Sequence, residues 1–125
     1  MSDAEQPIGT CCSFEDRDGI LVIRILEPLT KQAIFKITDE VARRSCPRKR
    51  LWLVGSYLSL SAEEMVEVGE YAKATVKGPS RVAYVTDDDL AFGLTNIHAA
   101  HRDDHGYDYQ IFRDEASALA WLNEY

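Results

Sequence analysis

Residues 18–26 read DGILVIRIL, and this segment organises the rest of the chain. Asp18-Gly19 predicts a tight hairpin turn, because glycine tolerates the positive φ that such turns require. The apolar, β-branched run over residues 20–26 is typical of a strand that is buried on both faces of a sheet. A short strand over residues 13–17 precedes the turn. The two strands are therefore expected to pair antiparallel, and Pro28 ends the second one.

Downstream of this hairpin, predicted helices and strands alternate. Short apolar runs predict strands over residues 51–54, 82–85 and 107–112, and helices are predicted over residues 30–45, 61–76, 89–101 and 115–123. The order ββαβαβαβα indicates an α/β fold with a mostly parallel five-stranded sheet, an N-terminal antiparallel hairpin and about four helices. We expect residues 1–12 to form a flexible N-terminal segment and residues 13–125 a single domain.

The periodicity of the last two helices predicts which residues face the core. A period of 3.6 residues selects one stripe of the third helix, formed by Leu90, Leu94 and Ile97. In the last helix, the residues expected to face the core are Ala116, Leu119 and Ala120.

Composition narrows the class of function. The 125 residues are 46% hydrophobic and 28% charged, which is typical of a globular domain. The net charge is −7, and 13 of the 21 acidic residues lie in residues 61–125. An acidic surface is repelled by phosphate backbones, so the sequence argues against nucleic-acid binding.

Location is predicted from what the sequence lacks. Residues 1–9 have neither the basic nor the apolar region of a signal peptide, and no apolar run reaches the roughly 18 residues of a membrane span. Three cysteines, with no CxxC motif, fit a reducing compartment better than a disulfide framework. We therefore expect a cytoplasmic protein.

Two segments resemble a largely uncharacterised bacterial family, the SpoIIAA-like proteins, also called STAS/SEC14-like. Residues 81–94 (RVAYVTDDDLAFGL) resemble its fourth strand and the helix that follows, and residues 109–122 (YQIFRDEASALAWL) resemble its closing strand and helix. The resemblance covers nearly the whole chain and implies a SpoIIAA/STAS-like fold. It also implies a regulatory role, since the related STAS anti-anti-sigma factors bind a kinase and are switched by serine phosphorylation.

In those relatives, the serine opens the helix after the third strand in an Asp-Ser-Ser-Gly-like turn. The corresponding residues 55–64 read GSYLSLSAEE and lack that turn. Ser59 and Ser61 lie near the phosphorylated position, but Glu63 and Glu64 follow directly and would repel a phosphate. Ser61 and Glu64 also match a capping box, so an ordinary helix N-cap is the alternative interpretation of Ser61.

The carboxyl ends of the parallel strands are the predicted binding site, because open α/β sheets bind ligands at this edge. We expect a small apolar or anionic ligand, including a lipid-type one, or a protein partner. The sequence contains neither a phosphate-binding glycine loop nor a recognised catalytic triad, so it predicts no cofactor and no enzyme. The residues expected to bind are Ser56, Tyr57, Ser59, Ser61, Thr86 and Asp87. Helix capping is the alternative role for Asp87 and for Asp88.

All three histidines lie within residues 98–105. His98 and His101 are three positions apart on a helix, so their side chains are close enough to be weak candidates for metal ligands. A metal-dependent enzyme that uses this segment is one hypothesis. The alternative is that a histidine on this helix packs at the edge of the core.

Five basic residues crowd into residues 43–50, namely Arg43, Arg44, Arg48, Lys49 and Arg50. They are expected to form a helix C-terminus and a solvated turn. The alternative is a docking patch for an acidic surface, such as the acidic half of another copy.

As a whole, the sequence favours a non-catalytic regulatory or protein-binding module. Such a module predicts an exposed apolar patch near residues 56–60 or on the third helix.

Overall fold

The computed structural model describes residues 6–8, 11–44, 48–55, 60–76, 79–102 and 107–124. Ten elements follow one another along these residues. They are β1 (Gln6–Ile8), β2 (Cys12–Arg17), β3 (Ile20–Ile25), α1 (Lys31–Arg43), β4 (Lys49–Leu53), α2 (Ala62–Thr75), β5 (Ser80–Val85), α3 (Asp89–Arg102), β6 (Tyr107–Phe112) and α4 (Glu115–Leu122).

The strands form one mixed sheet in which the spatial order equals the chain order, β1-β2-β3-β4-β5-β6. β1, β2 and β3 pair antiparallel, whereas β3, β4, β5 and β6 pair parallel. Asp18 and Gly19 join β2 to β3 with φ angles of 53° and 84°, as a tight hairpin turn requires. The α/β class, the antiparallel hairpin and the four helices are thus confirmed.

The predicted count of five strands is one short. β1 lies within residues 1–12, and its three residues, which include Pro7, are too few to show an alternating pattern. β4 and β5 each begin two residues before the predicted start, because polar residues open both strands. The flexibility expected of residues 1–12 and the domain limits 13–125 stay predictions.

Helices cover both faces of the sheet. The main core packs Ile37 of α1 and Val68 of α2 against Ile23 of β3, and α3 joins the same cluster. A second core packs Ala118 of α4 against Val22, the neighbour of Ile23 that faces the opposite side. The helices α1, α2 and α3 each connect one parallel strand to the next. Because these connections have the same handedness, the three helices lie on one face of the sheet. α4, which follows the last strand, lies on the other.

The buried face of α3 differs from the predicted stripe. Leu90 is 68% exposed, whereas its neighbour Ala91 is fully buried. The buried face therefore starts at Ala91, one residue after the predicted start at Leu90. It continues through Leu94, Thr95 and His98. Leu94 belongs to both the predicted and the observed face, so it does not distinguish them. The apolar pattern favoured Leu90 over Ala91 because leucine is more hydrophobic than alanine.

The buried face of α4 was also predicted wrongly for two residues. Ala118 and Leu122 are buried, whereas Ala116 and Ala120 are exposed, and Leu119 is half-buried. Small and apolar residues occur on every side of this helix, so its periodicity does not separate the faces.

Candidate functional site at the carboxyl ends of the strands

A crevice of about 450 Å³ opens at the edge where the four parallel strands end. Its walls come from the ends of these strands, the loops that follow them and the start of α4. The residues that line it are Arg24, Ile25, Leu26, Leu53, Gly55, Val85, Thr86, Asp87, Arg113, Asp114 and Glu115. The predicted edge of the sheet therefore carries a concave surface among the described residues.

Thr86 ties together the loops that form the floor of this crevice. Its buried hydroxyl donates to the carbonyl of Gly55 and accepts a hydrogen bond of 3.2 Å from the N–H of Asp88. The N–H groups of Val54 and Gly55 both donate to the carbonyl of Val85. Because the Thr86 hydroxyl both donates and accepts within the protein, it fixes the floor of the crevice.

The aspartates after β5 have different roles. Asp88 caps α3, because its side chain accepts from the N–H of Ala91 at 2.9 Å and its carbonyl from the N–H of Phe92 at 2.8 Å. The cap predicted for this region therefore falls on Asp88. Asp87 is exposed and lines the crevice, so it is the one aspartate of the two that a ligand can reach.

Ion pairs and a helix cap hold the opposite wall. Arg113 pairs with Asp89 at 3.0 Å. Asp114 caps α4. Hydrogen bonds from the backbone N–H of Ser117, which has the larger effect, and from the Ser117 hydroxyl lower the pKa of the Asp114 carboxyl. Glu115 pairs with Arg17 of β2 at 2.9 Å.

Hydrogen bonds to Glu15 and Glu115 raise the pKa of the Arg17 guanidinium above its already high value. The wall thus carries both signs of charge, held largely by internal partners.

Two leucines lie exposed at this edge of the sheet. Leu26, which follows β3, is 45% exposed and lines the crevice, and Leu90 opens α3. They are the large apolar side chains with high exposure among the described residues. The exposed apolar patch predicted near residues 56–60 or on the third helix stays a prediction, since Leu90 is a single exposed leucine and residues 56–59 lie outside the described residues.

The predicted serine site falls partly outside the described residues, since Ser56, Tyr57 and Ser59 lie in residues 56–59. Ser61 is described and is exposed at the start of α2. Its hydroxyl accepts from the N–H of Glu64 at 3.1 Å, and the Glu64 carboxylate accepts from the N–H of Ser61 at 3.0 Å. The predicted capping box is thus present.

His98 faces the core. It is 8% exposed and packs edge-on against Tyr84, with 6.0 Å between ring centroids. The described residues hold no group of three metal-binding side chains, and the side chain of His101 is not among those described. His98 also lines an internal cavity of about 30 Å³ between the sheet and the helices. That volume is far below the roughly 300–1,000 Å³ of ligand pockets, so a lipid-type ligand does not fit this cavity.

The basic run does not form a single patch. Arg43 and Arg44 both pair with Glu40, and Arg44 also lies over the Phe14 ring at 4.8 Å. Arg50 belongs to β4, is only 4% exposed and donates to Ser80 at 3.0 Å. The solvated turn predicted for Arg50 is wrong, because β4 begins at Lys49 and carries Arg50 under the helices.

The sequence did not identify Arg24, Arg113, Leu26 or Leu90 as residues of this surface. Arg24 interrupts an apolar strand, and a charge inside a buried run is a pattern that could have identified it. Arg113, directly after β6, could have been found from its place at a strand end. Leu26 and Leu90 carry no such pattern, because an exposed leucine and a buried one look alike in sequence.

Within the described part of the chain, none of the helices is long and apolar enough to cross a membrane. Comparison with protein-family models, curated proteins and solved structures finds no match to this chain.

Proposed function

We propose that this protein is a non-catalytic regulatory module of the SpoIIAA-like, STAS-like kind, which docks a protein partner on the carboxyl edge of its sheet. One observation carries the proposal: Leu26 and Leu90, the strongly exposed large apolar side chains of the described residues, both lie at this edge. Exposed apolar area beside a crevice with a charged rim is typical of protein interaction sites. We place the module in the cytoplasm, as its cysteine usage suggests.

The rigidity of the crevice supports a docking role. Thr86 and Val85 join the loops after β4 and β5 through hydrogen bonds, so little conformational entropy is lost when a partner binds there. The rim offers guanidinium groups at Arg24 and Arg113 and a carboxylate at Asp87. The partner that fits this edge presents apolar side chains flanked by both signs of charge.

The experiment compares capture by the wild type with capture by Leu26→Lys and Leu90→Lys variants. Each is cross-linked in an extract of the source cells, and the bound protein is identified by mass spectrometry. We expect one protein to be captured by the wild type and lost by both variants, with melting temperatures unchanged because both positions are exposed. Ala74→Lys, an exposed position near the end of α2, is the matched control. Equal capture by all four proteins contradicts the proposal.

A small molecule is the second candidate occupant of the crevice. The volume of about 450 Å³ lies in the range of ligand pockets, and the two arginines on its rim, set among three carboxylates, can pair with the anionic group of a partly apolar ligand. Native mass spectrometry of freshly purified protein separates the candidates. Extra mass that is lost on denaturation, and lost in an Arg24→Ala variant, supports the small molecule. An apo mass favours the protein partner.

A further inference from the structure

The two edges of the sheet differ in their protection against pairing with another strand. β1, at one edge, has three residues and contains Pro7, and both features block strand addition. β6, at the other edge, has six residues and contains no proline, glycine or lysine. Among the described residues, no strand pairs with the outer side of β6. Within the described part of the chain, the outer side of β6 is thus the less protected edge.

The hydrogen bonds of β6 identify the residues whose main chain faces outward. The carbonyl of Phe112 accepts from the N–H of Thr86, so the main-chain groups of Phe112 face β5. The N–H and C=O groups of one residue point to the same side, and this side alternates along a strand. The residues whose main-chain groups face outward are Tyr107, Tyr109 and Ile111.

These three residues are symmetric about Tyr109. In an antiparallel pair of β6 strands with a two-fold axis at Tyr109, each Tyr109 pairs with its copy and each Tyr107 pairs with Ile111. This register uses every outward main-chain group of β6 and places Asp108 opposite Gln110 of the second copy. An axis at Asp108 would instead oppose two carboxylates, and an axis at Gln110 would leave Tyr107 without a partner in β6.

We propose that the outer edge of β6 is a dimerisation surface on which a second copy of this chain adds its own β6, antiparallel and centred on Tyr109. Asp108 and Gln110 are both exposed, and the Asp108 carboxylate, which pairs with Arg81 of its own chain, also accepts from the Gln110 amide of the other copy. Tyr107 and Tyr109 stack with 5.7 Å between ring centroids and extend the aromatic face across the axis. This surface is separate from the crevice at the carboxyl edge.

Size predicts how strong this contact is. Six residues from each copy cover much less area than the roughly 1,200–2,000 Å² of stable interfaces, so the dimer is weak and depends on concentration. The net charge of −7 on each chain opposes association further at low salt.

Sedimentation equilibrium tests the register directly, in reducing buffer at moderate salt and at protein concentrations up to about 500 µM. We expect the average mass of the wild type to rise from 14.1 kDa toward twice that value. Gln110→Lys places an ammonium group opposite Asp108 at two symmetric positions and tightens the dimer by about threefold to tenfold. Gln110→Glu opposes two carboxylates at the same positions and weakens it by a similar factor.

Gln32→Lys and Gln32→Glu are the matched controls, since Gln32 is exposed on α1, away from β6. Both should leave the dissociation constant close to that of the wild type. A wild type that stays at 14.1 kDa throughout overturns the proposal. The same result is expected if β6 binds an extended segment of another protein instead of a second copy. Equal effects of the Gln110 and the Gln32 substitutions also overturn it. So does a weaker dimer in both Gln110 variants, because that result would place the axis at Gln110.

Discussion

The guanidinium group of Arg81 lies over the indole ring of Trp121, with 3.7 Å between Cζ and the ring centroid. The same group donates to the carbonyl of Trp121 at 2.7 Å and pairs with Asp108 and Glu124. The Arg81 side chain is 7% exposed, so these contacts are largely shielded from water. One arginine of β5 thus binds α4 and β6 together on one face of the sheet.

Replacing Arg81 with lysine should loosen α4. Lysine keeps the positive charge but lacks the planar group that stacks on the indole and reaches several acceptors at once. We expect Arg81→Lys to lower the free energy of unfolding by about 1–3 kcal/mol, measured by urea denaturation. Arg113→Lys is the matched control: Arg113 lies over Phe92 at 4.4 Å, but its side chain is 50% exposed. That substitution should cost less than about 0.5 kcal/mol, and equal losses would contradict this account.

Two buried threonines should respond oppositely to the same substitution. Thr38 of α1 donates to the carbonyl of Ile34 at 2.9 Å, whereas the hydroxyl of Thr95 in α3 has no hydrogen-bond partner among the described residues. Valine has the same shape without the hydroxyl. Thr95→Val should therefore raise the free energy of unfolding by about 1 kcal/mol, because it removes a buried polar group that lacks a partner.

Thr38→Val should be neutral or should lower the free energy of unfolding by about 0.5–1 kcal/mol, because a hydrogen bond is lost. Thermal or urea denaturation of both variants measures the difference in sign. A clear loss of stability in Thr95→Val would show that its hydroxyl has a partner in solution, such as a buried water molecule.

The sequence predicted the order and type of most elements, because buried parallel strands are continuous apolar runs and their helices begin at visible caps. Ser61 caps α2 where its position predicted. The faces of α3 were less certain. Leu90 and Ala91 both continue an apolar pattern, and only the packing of α3 against α2 and the sheet determines which of them is buried.

The sequence predicted where the candidate site lies, but not the shape of its surface. The topology of parallel strands brings their carboxyl ends together, so Thr86 and Asp87 were correctly located at this edge. The crevice also depends on α4 crossing the opposite face, which brings Glu115 toward the end of β3. No local pattern records such a long-range contact. For the same reason, Arg50 was placed in a turn although it lies under the helices.

The capping box at Ser61 predicts a graded response of α2. Ser61→Ala removes the acceptor for the N–H of Glu64 and should cost about 1 kcal/mol of unfolding free energy. Ser61→Asp restores an acceptor, and aspartate is as good an N-cap as serine, so stability should stay near the wild-type value. Circular dichroism during urea denaturation measures both. Equal losses in the two variants would mean that Ser61 stabilises the helix in some other way.

Glu40 makes the stability of α1 depend on pH. Burial opposes its charge, but hydrogen bonds from Arg43 and Arg44 hold the pKa of this carboxyl below its ordinary 4.5. Because the folded-state pKa is lowered, the stabilisation is present above about pH 4.5 and is lost as the pH falls through the folded value. Arg43 is 72% exposed, so solvent screens its share, and Glu40→Gln should cost only about 0.5–1 kcal/mol at neutral pH.

The test of this prediction compares the wild type with Glu40→Gln by urea denaturation between pH 7 and pH 3. The difference in unfolding free energy should shrink toward zero as the pH falls, since the protonated carboxyl of Glu40 resembles the amide of glutamine. High salt at pH 7 should reduce the difference as well, because the Arg43 side of the pair is open to solvent. A difference that grows on acidification would mean that Glu40 is held in its neutral form, and the paired arginines would then need another counter-charge.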